Sequence, residues 1–410
     1  MRQLTRRDVL VGLGAAGVGT TLGVRDARAA DPITVATRNC YLGADLFRLL
    51  AAASTEERTI REAVSALIDA VDRSHPGRRL DAIAGELART EPDLVGVQEA
   101  ALIRTGAPSD GTTPTATDVR YDFRERLLSA LDSRDRSYRV VAATTTVDVQ
   151  FPATVDGEPR ALRLTDRDLL LARDTVATAD PVTDTFDASL SVTRGGRTLT
   201  VERGYGVADA TVGDRRLTFC NTHLESVAAA TRTAQAAELR SVLADRRERV
   251  VLVGDCNSGP GASTAAYDRL TERFTDVASD AGNTCCHAAD LRNAKPSLDA
   301  RVDHVLVRGD LRATEVTRVG TDPNERIAVA GDRLWPSDHA GVVATVTTSE
   351  ETAAATPTLT PARTPTPSPT ATATATPTTT ETGGAAPGFG AVPAAASLVA
   401  AALAARRHDD

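Results

Sequence analysis

The chain alternates between two hydrophobic rhythms. Short apolar runs recur at residues 33–38, 94–97, 138–143, 217–220, 250–253, 301–307 and 341–346. Runs of this length, bounded by polar or turn-forming residues, predict buried strands. Between them apolar residues recur at helical spacing. Ile60, Val64, Leu67, Ile68 and Val71 keep one face, behind Ser54 and Glu57 in capping-box spacing. Leu80, Ile83, Ala84 and Leu87 mark a second helix over residues 79–89, stopped by Glu91-Pro92-Asp93. Further helices are predicted over residues 118–131, 228–246 and 262–274, with a polar loop over 104–118. Residues 144–216 read as several short strands, with Asp166-Arg167-Asp168 leading into one and Gly195-Gly196 as a turn. Strands alternating with helices, plus short all-β runs, predict an α/β layered domain over residues 30–348.

The ends follow neither rhythm. Residues 1–29 carry Arg6-Arg7, a Gly/Ala-rich apolar run and Ala27-Arg28-Ala29. This resembles a twin-arginine export signal with a small-residue cleavage site. Residues 349–386 are mostly Thr, Ala and Pro, a composition that cannot bury a core and predicts an extended stalk. Residues 387–410 open on Pro387-Gly388-Phe389, continue as an apolar run and end near Arg406-Arg407. That segment resembles the archaeal C-terminal sorting signal, in which a membrane enzyme removes the tail and a lipid replaces it. The plain alternative is a C-terminal membrane helix with its basic end inside. Either way the domain is expected at the cell surface, tethered at its C-terminus.

Charge narrows the choice of partner. The formal net charge is −8, and Lys295 is the single lysine. An acidic chain is a poor candidate for purely electrostatic nucleic-acid binding, which depends on basic side chains displacing counterions. A metal-bridged nuclease is not excluded. Cys40, Cys220 and Cys256 lie on apolar stretches and read as buried thiols, whereas Cys285 and Cys286 are adjacent in a predicted loop. No zinc-binding spacing and no N-glycosylation acceptor is present.

The chemistry sits where the strands stop. Asn39, the pair Gln98-Glu99, Asn221 with His223, Asp255 with Asn257, and Asp338 with His339 each follow an apolar run, and Asp303 lies on a further one. Each alone has a bland explanation as a cap, a solvated acid or a structural histidine. Together they place polar groups along one edge of the sheets, where folds of this kind keep their chemistry.

In this order, Asn39, Gln98-Glu99, Asn221-Thr222-His223-Leu224, Gly254-Asp255-Cys256-Asn257, Arg301-Val302-Asp303-His304 and Ser337-Asp338-His339 resemble the endonuclease/exonuclease/phosphatase superfamily, the DNase I-like fold. The resemblance implies a four-layer sandwich, two packed β-sheets with helices outside. It also implies phosphoester hydrolysis with Mg²⁺ or Mn²⁺. Carried over by position, Glu99 becomes a metal ligand, helped by Asn39 and Asp338. His339, oriented by Asp303, contacts the scissile phosphate. Asp255 orients or deprotonates the attacking water, Asn257 and Asn221 hold phosphoryl oxygens, and His223 supplies a second donor. Many nucleases of the group carry an acid two places after the strand-end Asn; here that place is Tyr41, and the nearest acid is Asp45. The expected protein is a monomeric, surface-tethered phosphodiesterase acting on nucleic acid. A phospholipid head group or small phosphate ester is the alternative substrate, and a non-enzymatic surface module the alternative class.

Overall fold

The computed structural model describes residues 32–44, 57–108, 113–194 and 197–349. The leader, stalk and C-terminal segment read from the sequence lie outside these residues, as do Asp45 and Ser54. Two mixed sheets pack face to face. The first runs Leu311–Val319, Gly341–Thr348, Ile33–Asn39, Leu94–Gln98, Glu158–Arg173, Leu102–Gly106 and Asp118–Asp122, with Tyr138–Val155 also paired to Glu158–Arg173. The second runs Thr275–Asp276, Asp303–Arg308, Val250–Asp255, Arg215–His223, Gly204–Val212 and Ala177–Thr185. Each sheet has a parallel pair at its centre: Ile33–Asn39 with Leu94–Gln98, and Arg215–His223 with Val250–Asp255.

The continuous apolar runs are explained by burial on both faces, divided by the period-two alternation of a strand. Val251 and Val253 face the first sheet, in a core shared with Ile33, Val35, Leu94, Phe219, Val305 and Val307. Val250 and Leu252 face outward, onto the helices Ala229–Ala244 and Ala265–Thr271 through Leu239, Leu243 and Leu270. On the far side of the first sheet, Val95, Val97, Leu169 and Leu171 pack on the helices Glu57–Arg73, Pro76–Thr90 and Phe123–Asp132. Three cores between four layers give the α/β sandwich expected from the resemblance.

Three local expectations need correction. Residues 144–216 are not a string of short strands. They begin with a long hairpin, Tyr138–Val155 and Glu158–Arg173, whose turn at Asp156 (φ 53°) and Gly157 (φ 84°) is of the kind that matches strand twist. The polar loop is shorter at both ends, because Leu102–Gly106 and Asp118–Asp122 pair as strands. The following helix therefore starts at Phe123, capped by Asp122, whose carboxylate accepts from Glu125 N at 3.3 Å.

One buried ion pair ties the first sheet to the site. Arg38 Nε donates to Glu86 Oε2 at 2.9 Å and Nη2 to Oε1 at 3.2 Å, both side chains being almost wholly buried. Burial pushes the Glu86 carboxyl up, and Arg38 opposes it. Arg38 Nη1 also donates to the carbonyl of His339. Glu86→Ala would leave a buried, unpaired guanidinium, so we expect a loss of about 3–5 kcal/mol in denaturant unfolding. A loss below about 1 kcal/mol, the range of surface pairs, would show that water reaches Arg38.

Candidate active site

Register and parity together assemble the site. His223 is level with Asp255, and Asp255 with Asp303, so three strand ends present one row across the second sheet. All three share the parity of the inter-sheet core residues Val251, Val253, Phe219, Val305 and Val307. Their side chains therefore point toward the first sheet, whose Asn39 has the same parity as Ile33 and Val35. Gly254 permits this row: at φ 150° its backbone passes so near Thr222 that a Cβ would lie 2.0 Å from the Thr222 carbonyl oxygen.

Asp255 is the junction. Its Oδ2 accepts from Asn39 Nδ2 at 3.1 Å, and its Oδ1 from the backbone N of Asn257 at 2.9 Å. His223 Nε2 stands 3.5 Å away on one side and His339 Nε2 3.7 Å on the other. His339 Nδ1 lies 2.8 Å from Asp303 Oδ2, and with Asp303 ionised this nitrogen carries the proton. Burial pulls His339 down, but the charges of Asp303, Asp255 and Asp338 outweigh it and hold the imidazole well above its ordinary range. His339 N donates to Ser337 Oγ at 3.1 Å, and Ser337 Oγ donates to the Asn39 carbonyl at 2.8 Å, which fixes this loop to the first sheet.

Glu99 reaches the site by a backbone reversal. Strand parity would turn it, like Val95 and Val97, toward the helices. Its φ of 58° swings it back, so Oε1 accepts from Asn39 Nδ2 at 3.0 Å and Oε2 from Leu42 N at 2.7 Å. Tyr41 (φ 53°) and Asn257 (φ 47°) are also left-handed. Such backbone costs of order 1 kcal/mol each and gathers at functional sites. Asp338 faces the same acids: burial and the charges of Glu99 and Asp255 push its carboxyl up to about 7, against His339 and Arg79.

A cluster of hard oxygen donors that repel one another suits a divalent cation such as Mg²⁺ or Mn²⁺. Glu99 and Asp338 meet that description. Asn39 does not match the ligand role expected of it. Its Oδ1 is turned away to accept from Tyr41 N at 2.8 Å, so Nδ2 is what it offers to Glu99 and Asp255. Asn39 braces the two carboxylates instead. Asp255, Asp303 and His339 also bring ligand atoms within 4.8 Å of one another. His339 and Asp303 are already hydrogen-bonded to each other through Nδ1 and Oδ2.

Asn221 is likewise not a phosphate donor. Both amide hydrogens are used, to Val97 O at 3.1 Å and Leu169 O at 2.9 Å, and its Oδ1 accepts from Gln98 Nε2 at 2.7 Å. It is a strut between the sheets, drawn close because residue 96 is glycine; a Cβ there would lie 2.4 Å from Asn221 Oδ1. Asn257 Nδ2 donates to Leu224 O at 3.0 Å, which holds the amide at the edge of the row. Cys256, of opposite parity to Asp255, is buried with Leu252 and Leu270. Cys40 and Cys220 are buried free thiols as well, and Cys285 is bonded to Cys286.

Four site residues were not singled out from the sequence. Asp166 and Asp168 precede Leu170 and Ala172 with the same parity and so face the gap between the sheets. Burial, then the charges of Asp168 and Glu99, push Asp166 up to about 7. Asp168 Oδ1 accepts from Glu99 N at 3.3 Å and lies 3.7 Å from His223 Nδ1. The alternating Asp-Arg-Asp at the head of an apolar run was the available signal. Arg203 is buried against His223. Arg79, on the helix Pro76–Thr90, donates to the carbonyls of Ser74, Cys40, Tyr41 and Pro336, pinning the Asn39 and His339 loops together. Burial lowers its guanidinium to about 10.

A sequence model of the Endonuclease/Exonuclease/phosphatase family matches residues 68–339, well over half of the chain. The chain belongs to this family. Solved structures similar to it include truncated Caenorhabditis elegans TDP2, at 16% identity over 77% of this chain and 97% of that one, with a TM-score of 0.45. An endonuclease/exonuclease/phosphatase family protein from Leptotrichia buccalis is 15% identical over 77% and 99%, TM-score 0.46. A mannosyl-6-phosphatase from Bacteroides thetaiotaomicron is 14% identical over 77% and 99%, TM-score 0.46. No curated protein matches the chain. Residues 386–408 match the PGF-CTERM motif, an archaeal C-terminal sorting tail. This family member is thus a surface-anchored phosphoesterase. Among the described residues no helix is long and apolar enough to cross a membrane.

Proposed function

We propose that this protein is a divalent-metal-dependent phosphodiesterase, with nucleic acid as its leading substrate. The observation that carries this reading is the position of Asp255, held by Asn39 and Asn257 and flanked by His223 and His339 within 3.7 Å. In-line attack on a phosphodiester needs an acceptor for the proton of the attacking water and fixed donors for the charge that grows on the phosphoryl oxygens. Asp255 is the acceptor. The protonated His339, backed by Asp303, and His223 are donors on either side, and Asn257 is placed to assist. Glu99 and Asp338 would hold the cation, which when bound would screen the negative phosphate. The acid-base row of Asp255, His223 and His339 favours direct attack by water.

The same reading assigns residues 1–29 to twin-arginine export and residues 349–386 to a stalk. It makes the tail after residue 386 a cleaved signal replaced by lipid, on a monomeric enzyme.

Chelation tests the metal. EDTA is expected to reduce hydrolysis of bis(p-nitrophenyl) phosphate, DNA and RNA at least about 100-fold, with recovery on adding Mg²⁺ or Mn²⁺. Full activity in EDTA contradicts the role given to Glu99 and Asp338. Turnover confined to phospholipid head groups or sugar phosphates would keep the chemistry and overturn the substrate.

A further inference from the structure

Arg203 is a buried cation beside the catalytic row. It immediately precedes Gly204, which is level with His223 across the antiparallel pair. The close approach of neighbouring backbone demands glycine at 204, because a Cβ there would stand 2.3 Å from the Asp184 carbonyl oxygen. Arg203 stands just before this strand, with its side chain against His223. Arg203 Nη1 lies 3.0 Å from His223 Nδ1. Its nearest acid is Glu225, with Nε 4.0 Å from Oε2, and Nε has no hydrogen-bond partner. Asp168 Oδ1 is farther from the same ring nitrogen, at 3.7 Å, and its Oδ2 is buried without a partner.

A guanidinium only donates, since it has no acceptor atom and keeps its charge in proteins. A neutral ring with its nitrogen 3.0 Å from that guanidinium offers it a lone pair there. Burial and Arg203 pull the imidazole down, while Asp168 and Asp255 raise it overall. In the neutral imidazole the proton then belongs on the other nitrogen, Nε2, which faces Asp255 Oδ2 at 3.5 Å. We propose that Arg203 is a positioning residue that locks His223 in the tautomer bearing its proton on Nε2, aimed at the gap beside Asp255 where the phosphate would lie. His223 is then a fixed hydrogen-bond donor to a phosphoryl oxygen. In its neutral form it has no lone pair on the substrate side and is not a base. The two histidines flanking Asp255 would thus be set by opposite partners: His339 by a carboxylate that accepts a hydrogen bond from its Nδ1–H, the neutral His223 by a cation that disfavours a proton on Nδ1. The catalytic meaning of this assignment rests on the phosphodiesterase reading, while the tautomer itself does not.

The test is ¹⁵N NMR of the histidine rings in the protein, with His223 signals identified by their absence in His223→Gln. Above the titration of the ring, Nδ1 is expected to be unprotonated and Nε2 protonated in the wild type. In Arg203→Met the nearest remaining polar partner of Nδ1 is Asp168, so the proton is expected to move to Nδ1. With that exchange kcat should fall about 10-fold or more, the scale of a lost transition-state donor, with a smaller change in KM. A wild-type ring bearing its proton on Nδ1 overturns the proposal, whether or not Arg203→Met folds. The spectrum is read without turnover. An Nε2-protonated ring in a protein that hydrolyses no phosphoester supports the tautomer and overturns the activity.

Discussion

Asp255→Asn is expected to lower kcat for phosphodiester hydrolysis by about 10²- to 10⁴-fold, the contribution of a positioned acid-base group. The substitution changes shape least and chemistry most. The carboxylate accepts from Asn39 Nδ2 and Asn257 N and lies between two histidine Nε2 atoms. An amide offers those donors one oxygen fewer and cannot take a proton from water. KM should change far less than kcat, because the interaction is made in the transition state. Steady-state kinetics with a far-UV spectrum, to show that the fold persists, decide it. A fall of less than about 10-fold would remove Asp255 from the centre of the reaction.

His339→Ala is expected to cost a comparable factor, because it removes the cation closest to Asp255 on that side. Asp303→Asn separates charge from contact. Asp303 is one of three acids that hold His339 above its ordinary range against the pull of burial. Taking away that charge lets the imidazolium lose its proton at lower pH. Activity that depends on the protonated ring is lost as pH rises through its pKa, so the alkaline limb of the pH–rate profile should move toward acid in Asp303→Asn. A limb that stays in place, or moves toward alkali, would mean that His339 acts as the neutral ring.

Much of this site was legible from residue type and position. Apolar runs ending in Asn39, Glu99, His223, Asp255 and His339 marked the strand mouths. Strand alternation turns Asn39, His223, Asp255 and Asp303 toward one gap between the sheets. What stayed hidden needed three dimensions. Asn221 shares the parity of His223, yet it lies one step deeper, where the sheets touch and its amide is consumed by Val97 and Leu169. Asn39 carries the expected residue type, but the Tyr41 backbone takes its oxygen and turns its nitrogen to the acids. Glu99 reaches the site only through a left-handed turn that no periodicity announces. Arg203 and Arg79 act through atoms far in sequence from the groups they hold, so no local pattern marks them. The long hairpin of Tyr138–Val155 and Glu158–Arg173 was missed because turn-like residues within it, such as Pro152 and Asp166, punctuate strands that pairing keeps continuous.

The most direct measurement is kcat/KM on DNA, RNA and bis(p-nitrophenyl) phosphate with Mg²⁺ for the wild type, Asp255→Asn, His339→Ala and the double variant. Residues that act as one unit are non-additive, so the double variant should be no more than about 10-fold below the worse single one. Wild-type turnover, lost in both single variants and scarcely lower in the double, is the predicted result. Turnover that persists in the double variant, or a wild type that cleaves no phosphodiester, would contradict the account.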